Sequence, residues 1–152
     1  MTFMRPPSSE LGTSVREALH SDAARIAVLA GQLGYEVPVA HVERQISHMN
    51  DERTVLVAVV PRAGVVGWIG VALREAITDS ARADIEGLVV EDEYRGNGIG
   101  QLLVEAAETW ARRRGCTSMR LVSNVVRERA HEFYKRLGYD VLKTQHAFKK
   151  TL

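Results

Sequence analysis

Residues 95–100, Arg-Gly-Asn-Gly-Ile-Gly, place three glycines in five positions directly ahead of a helical pattern. Glycine loses more freedom on folding than any other residue, so a cluster at a helix entrance calls for a reason. A helix N-terminus carries unpaired N–H groups and the positive end of the helix dipole. A phosphate can sit there if side chains stay out of its way. Gly96, Gly98 and Gly100 would remove the obstructing Cβ atoms, Arg95 would add a cation, and Asn97 would cap or turn the loop. A nucleotide-hydrolysing loop requires a Lys-Ser/Thr pair after its last glycine, and Gln101 stands there instead. A dinucleotide loop expects a different glycine spacing and an early place in the chain. A loop that merely turns is the bland alternative.

A second group capable of chemistry is Asp84 and Glu86. They lie two apart in the apolar run Ala-Asp-Ile-Glu-Gly-Leu-Val-Val, so as a strand they point to one face. A carboxylate on such a strand has to meet water or a ligand. Gly87 inside the same run marks a bulge, a close backbone approach, or simply a tolerated glycine.

The elements that must position these groups follow from periodicity. Residues 15–19 suit a short strand. Ser21 and Asp22 can cap a helix with Ala23, Ile26, Ala30 and Leu33 on one face and Gly34 as its stop. Pro38 opens a second helix striped by Val42, Ile46 and Met49. Residues 54–60 and 65–73 read as a hairpin joined by Pro-Arg-Ala-Gly, and 83–90 as a fourth strand. The helix after the glycines carries Ile99, Leu102, Leu103, Ala106, Trp110 and Ala111, and Gly115 ends it. Residues 118–123 form a fifth strand. A helix within 127–139 presents Ala130, Phe133, Tyr134 and Leu137, with Gly138 as its stop. Strands at 140–143 and 145–150 close the order. The fold class is α/β (α+β): a mixed, mostly antiparallel sheet flanked by about four helices. A polar tail covers 1–13 and one domain covers 14–152.

Composition narrows the function. The chain has 152 residues, 45% hydrophobic and 26% charged, with a net charge of +1, so nothing attracts nucleic acid or acidic membranes in bulk. Cys116 is the only cysteine and the five histidines lack ligand spacing, so neither a disulfide nor a metal is expected. The longest apolar run, 55–60, is far short of a bilayer span. The first residues lack a signal-peptide core. A cytoplasmic location follows by elimination.

Three segments together resemble the GNAT family of N-acetyltransferases: Leu88–Gly115 around the glycines, Arg129–Tyr139 with its Ala-x-x-Phe-Tyr pattern, and Val65–Leu73 as a third strand. The likeness runs from about Val15 to Phe148. It implies that acetyl-CoA, as co-substrate, rests its pyrophosphate on Arg95, Gly96, Asn97, Gly98, Ile99 and Gly100. Its pantetheine arm would pair with Leu88, Val89 and Val90. Many members carry Asn three residues before the alanine. Here Arg127 stands there and Asn124 lies three residues further upstream, so either is the implied contact.

Tyr134 matches the family's tyrosine, the acid for the departing thiolate. A carboxylate can take the amine's proton, directly or through water, with Glu86 preferred and Asp84 next, and water itself as the remaining candidate base. The implied activity is direct acetyl transfer to a small-molecule primary amine in a ternary complex. A protein N-terminus or lysine is the runner-up acceptor, and a non-catalytic acyl-CoA-binding module the rival. Residues 31–45 loosely resemble the aminoglycoside-type branch. Tyr35, Glu36, Trp68 and the late Gln-His-Ala-Phe are candidate acceptor contacts. A homodimer is expected, with the late strands offering an edge or an exposed face.

Overall fold

The computed structural model describes residues 10–123 and 125–152. Asn124 lies outside the described residues, as do residues 1–9. The chain forms two compact units, one through Leu121 and the other Val122–Leu152.

The first unit holds one five-stranded sheet in sequence order: β1 (Ser14–Glu17), β2 (Arg53–Val60), β3 (Gly64–Ala76), β4 (Asp79–Val90) and β5 (Met119–Leu121). The first three pairings are antiparallel and β4–β5 is parallel, which is the mixed, mostly antiparallel sheet expected. Helices α1 (Ala23–Ala30) and α2 (Val39–Ser47) follow β1, and α3 (Ile99–Arg113) follows β4. Gly34 and Gly115 take the left-handed conformation just past the turns they end, with φ of 86° and 80°.

The sheet separates two apolar layers. Ile26, Leu29, Val42 and Ile46 pack with Val57, Val89 and Trp68, so α1 and α2 cover one face. Strand alternation puts Gly67 on the other face. A Cβ there would stand 3.2 Å from Leu103 Cδ1 and 2.8 Å from the Val89 carbonyl oxygen, so α3 lies close over β3. The inward stripe of α3 is Ile99, Leu103, Ala107, Trp110 and Ala111, with Val104 also buried. Leu102 and Ala106, expected in that stripe, are only half-buried. The stripe advances by four, four and three residues, and those two sit beside it.

Two expectations change. The β3–β4 hairpin is longer than its apolar run, reaching Ala76 and starting again at Asp79. Its outer part is held by the backbone ladder and by ion pairs of Arg82 with Asp79 and Asp84. The closing strands at 140–143 and 145–150 do not form. Alternation alone makes no strand without a partner ladder, and the second unit has none among its described residues. The dimer edge expected from them is therefore missing. Among its described residues that unit's one regular element is α4 (Glu128–Arg136), stopped by Gly138 at φ 92°.

Asp22 does not cap α1. It is buried and turns back, accepting from the Leu19 N–H at 2.7 Å and from both terminal nitrogens of Arg16 at 2.7 and 3.1 Å. The Arg16 hydrogen bond is the largest cause holding its carboxyl below the ordinary aspartate range. A depressed carboxyl stabilises the fold above its unfolded value and loses that contribution as pH falls through the folded one. Asp22→Asn should cost about 1–2 kcal/mol at neutral pH. The gap from wild type should narrow progressively below about pH 4. Urea unfolding across pH checks both.

Candidate active site

The site is built where β4 ends and α3 begins. β4 pairs with β5 only through Ala83, Asp84 and Ile85, and the two strands then part. On its other side β4 stays paired to β3 as far as Val90. The Glu91 N–H donates to the Val66 carbonyl at 2.8 Å, which makes Gly67 and Val90 a non-hydrogen-bonded pair. Leu88 and Val90 therefore turn their backbone groups to the open side, whereas Val89 sends its own to β3. The result is a strand edge that no neighbouring strand covers, able to take an extended ligand as an extra strand.

The edge leads into the glycine loop. Gly96 and Gly98 have φ of 81° and 78°, so both glycines serve the turn itself. Gly98 is the residue before α3, whose first bond runs from the Leu102 N–H to the Gly98 carbonyl at 3.1 Å. No side chain caps this end and no acidic residue occupies its first turn, which leaves the Ile99, Gly100 and Gln101 N–H groups for an anion. Arg95 braces the loop. Its Nε donates to the outward carbonyl of Val90 at 3.1 Å and its Nη1 pairs with Asp92 at 2.8 Å. Asn97 is buried, and its amide donates to the Tyr94 carbonyl at 3.0 Å. Its Oδ1 is buried without a partner among the described residues. Asn97 is thus a brace inside the loop, its amide nitrogen held by the Tyr94 carbonyl.

Gly100 lies within α3 and has no positive φ, so here the argument from an absent Cβ stands free of backbone strain. Valine is no worse than glycine inside a helix. Gly100→Val should keep the melting temperature and weaken coenzyme A binding at least about tenfold by calorimetry. Unchanged affinity would remove the loop from the site. Gly98→Val is less telling, because an L side chain is strained at that φ whatever binds.

Glu86 lies at a bulge. Gly70 pairs with Gly87 and Val71 with Ile85, so Glu86 is the extra residue of β4. The bulge turns Glu86 and Gly87 to the face that also carries Asp84 and Trp68. A Cβ on Gly87 would stand 2.8 and 2.9 Å from two atoms of the Trp68 indole, so only glycine fits beneath that ring. One Glu86 oxygen, Oε2, pairs with Arg53 at 2.7 Å. Both Asp84 oxygens are engaged, Oδ1 by Arg82 at 2.9 Å and Oδ2 by Arg74 at 3.6 Å. Behind the site, Arg25 of α1 pairs with Glu91 at 2.6 Å and donates to the Val65 carbonyl at 3.0 Å, tying α1 to the end of β4. Arg53, Arg25 and the bulge partner Gly70 were not singled out by sequence. The signals lay in pairing register, which one chain does not display.

In the second unit, Arg127 immediately precedes α4 and Tyr134 lies on it. The Tyr134 ring meets Phe133 and Tyr139 edge-to-face, with centroids 5.1 and 5.8 Å apart. Burial pushes its phenol above the ordinary tyrosine value, opposed by the Arg127 charge. Burial likewise raises the Cys116 thiol, which suits a packed and unreactive side chain. No group of three or more potential metal-binding His, Cys, Asp or Glu side chains occurs among the described residues.

An open strand edge running into an uncapped helix N-terminus is the arrangement expected of the family suggested by sequence, and comparison with known proteins agrees. The model of the acetyltransferase (GNAT) family matches residues 20–139. The chain belongs to the GNAT family. It is 27% identical to the aminoglycoside N(6′)-acetyltransferase type 1 of Stenotrophomonas maltophilia over 84% of this chain and 86% of that protein. It is 30% identical to the glucosamine 6-phosphate N-acetyltransferase of Trypanosoma brucei brucei over 78% of this chain and 83% of that one. The crystal structure of an aminoglycoside 6′-N-acetyltransferase from Acinetobacter baumannii matches with a TM-score of 0.80 at 23% identity, covering 93% of this chain and 99% of that one, which shows the shared fold. This GNAT chain is an acetyl-CoA-dependent N-acetyltransferase. None of its helices among the described residues is long and apolar enough to cross a membrane.

Proposed function

We propose that this acetyltransferase acts on a primary amine of a small molecule, transferring the acetyl group directly within a ternary complex. The observation that carries the reading is the open half of β4. Leu88 and Val90 face outward where β5 has parted, and the edge ends at the uncapped start of α3. Leu88 and Val90 would hold the pantetheine arm by backbone hydrogen bonds. The Arg95–Gly100 loop would hold the pyrophosphate, with Arg127 or Asn124 as a further contact. Acetyl-CoA, bound there, supplies an acetyl thioester.

The chain's own residues handle the protons. An alkylammonium titrates near ~10.4, so the acceptor arrives charged and its nitrogen has no lone pair to offer. Glu86 takes that proton on Oε1, which has no partner among the described residues, while Oε2 stays with Arg53. Asp84 is the weaker candidate because both of its oxygens are held. Tyr134 supplies a proton to the departing sulfur. Relatives named for aminoglycosides and for glucosamine 6-phosphate support a small amine as acceptor.

The test is calorimetric titration with acetyl-CoA, then thiol release over a panel of amines. The panel holds an aminoglycoside, glucosamine 6-phosphate, an aminoalkylphosphonate, an N-terminal peptide and a lysine peptide. Turnover of one of the small amines is the expected result. Turnover confined to the peptides would move the acceptor to protein. Binding without turnover of any amine would leave an acyl-CoA-binding module.

A further inference from the structure

We infer that Arg53 is a positioning residue for the acetyl transfer, holding Glu86 aimed at the acceptor nitrogen and itself held by Gln45 of α2. The inference rests on the reading of Glu86 as the base.

Glu86 is poorly fixed by its own strand. It is the bulged residue of β4, without a partner in the ladder, and its side chain is 33% exposed. A free glutamate has rotamer freedom to lose before it points in one direction. Arg53 supplies that constraint from two strands away. Its Nη2 meets Glu86 Oε2 at 2.7 Å and its Nη1 donates to Gln45 Oε1 at 3.1 Å.

The span is unusual. Neighbouring strands lie about 4.8 Å apart, so β2 and β4 are separated by roughly twice that. Only two long side chains can meet over such a gap, and only if the intervening strand keeps low. Arg53 is paired to Ala72 and Val55 to Gly70, and these two small residues are what β3 offers in between. The root of Arg53 is fixed as well. Asn50 Oδ1 accepts from the Arg53 N–H at 3.1 Å, and the Asn50 N–H donates to the Arg53 carbonyl at 3.0 Å. Helix, strand turn and bulge thus converge on one carboxylate oxygen and leave the other free.

A part-exposed ion pair contributes little to stability, so a stabilising role explains little of this geometry. Arg53→Met should leave the melting temperature and coenzyme A affinity near wild type. With the panel amine that the wild type turns over, it should lower kcat about tenfold with little change in the acetyl-CoA KM. Arg53→Lys keeps one donor and should recover most of the rate. Gln45→Leu should give a smaller fall of the same kind. In the Glu86→Gln background, Arg53→Met should cost nothing further. Wild-type kcat in Arg53→Met, or an equal loss in both backgrounds, would overturn the positioning role while leaving the base in place. Wild-type kcat in Glu86→Gln alone would instead overturn the base, and this inference with it.

Discussion

Replacing Tyr134 by Phe should lower turnover by about 10²-fold or more while acetyl-CoA affinity and melting temperature stay near wild type. The ring is what α4 uses for packing: it meets Phe133 and Tyr139 edge-to-face, and Phe preserves both contacts. No described group of its own unit bonds the hydroxyl, so its removal strands no partner there. The direction of the phenol's shift fits a donor. Burial holds it above the ordinary tyrosine value, so it is protonated throughout the neutral range and has a proton to give. The sign is fixed by the same shift. Any loss of rate that reports ionisation of Tyr134 falls on the alkaline side, above the usual ~10, and Tyr134→Phe should lack it. Single-turnover kinetics with a good amine check the prediction. A wild-type rate in Tyr134→Phe would make this side chain a packing residue, with the thiolate leaving unaided, which a thiol of pKa about 8.5 can do.

What the sequence discloses about this site is what local chemistry writes into it. Glycines that must turn a chain, as at Gly34, Gly98, Gly115 and Gly138, appear as interruptions of an apolar period, and they fell where the helices start or stop. The α1, α2 and α3 stripes are legible for the same reason, because one buried face repeats every three or four residues. The hairpin's outer half is not, because its residues are polar and their pairing is electrostatic: Arg82 between Asp79 and Asp84 reads as an exposed charge run until the strands are side by side. The last segment fails in the opposite way. Val141, Leu142 and Phe148 look like strand residues, yet strand structure depends on a partner that no local pattern specifies.

The candidate base was half legible. Alternation placed Asp84 and Glu86 on one face, and Gly87 was read as a mark of a bulge or a close approach. Both outcomes occur there, the bulge at Glu86 and the Trp68 ring against Gly87. Which carboxylate keeps a free oxygen depends on arginines reaching across from other strands, and that is a property of register alone.

That difference between the two carboxylates sets the last expectation, for Glu86→Gln. The amide keeps an oxygen for Arg53, so the bulge and a hydrogen bond in place of the ion pair should survive and coenzyme A binding should not change. What disappears is a group able to accept a proton. At neutral pH, kcat/KM for the amine should fall by about 10²- to 10³-fold, within the range of a positioned general base. The loss should shrink as pH rises, because an alkylamine near ~10.4 sheds its own proton in alkaline solution and then needs no base. Asp84→Asn provides the contrast. Its oxygens are committed to Arg82 and Arg74, so the substitution should disturb the hairpin's ion pairs and leave the neutral-pH rate near wild type. If Glu86→Gln instead keeps its neutral-pH rate and Asp84→Asn loses it, the proton passes to Asp84 in spite of its two arginines. If both variants keep the rate, the acceptor loses its proton to water before it binds.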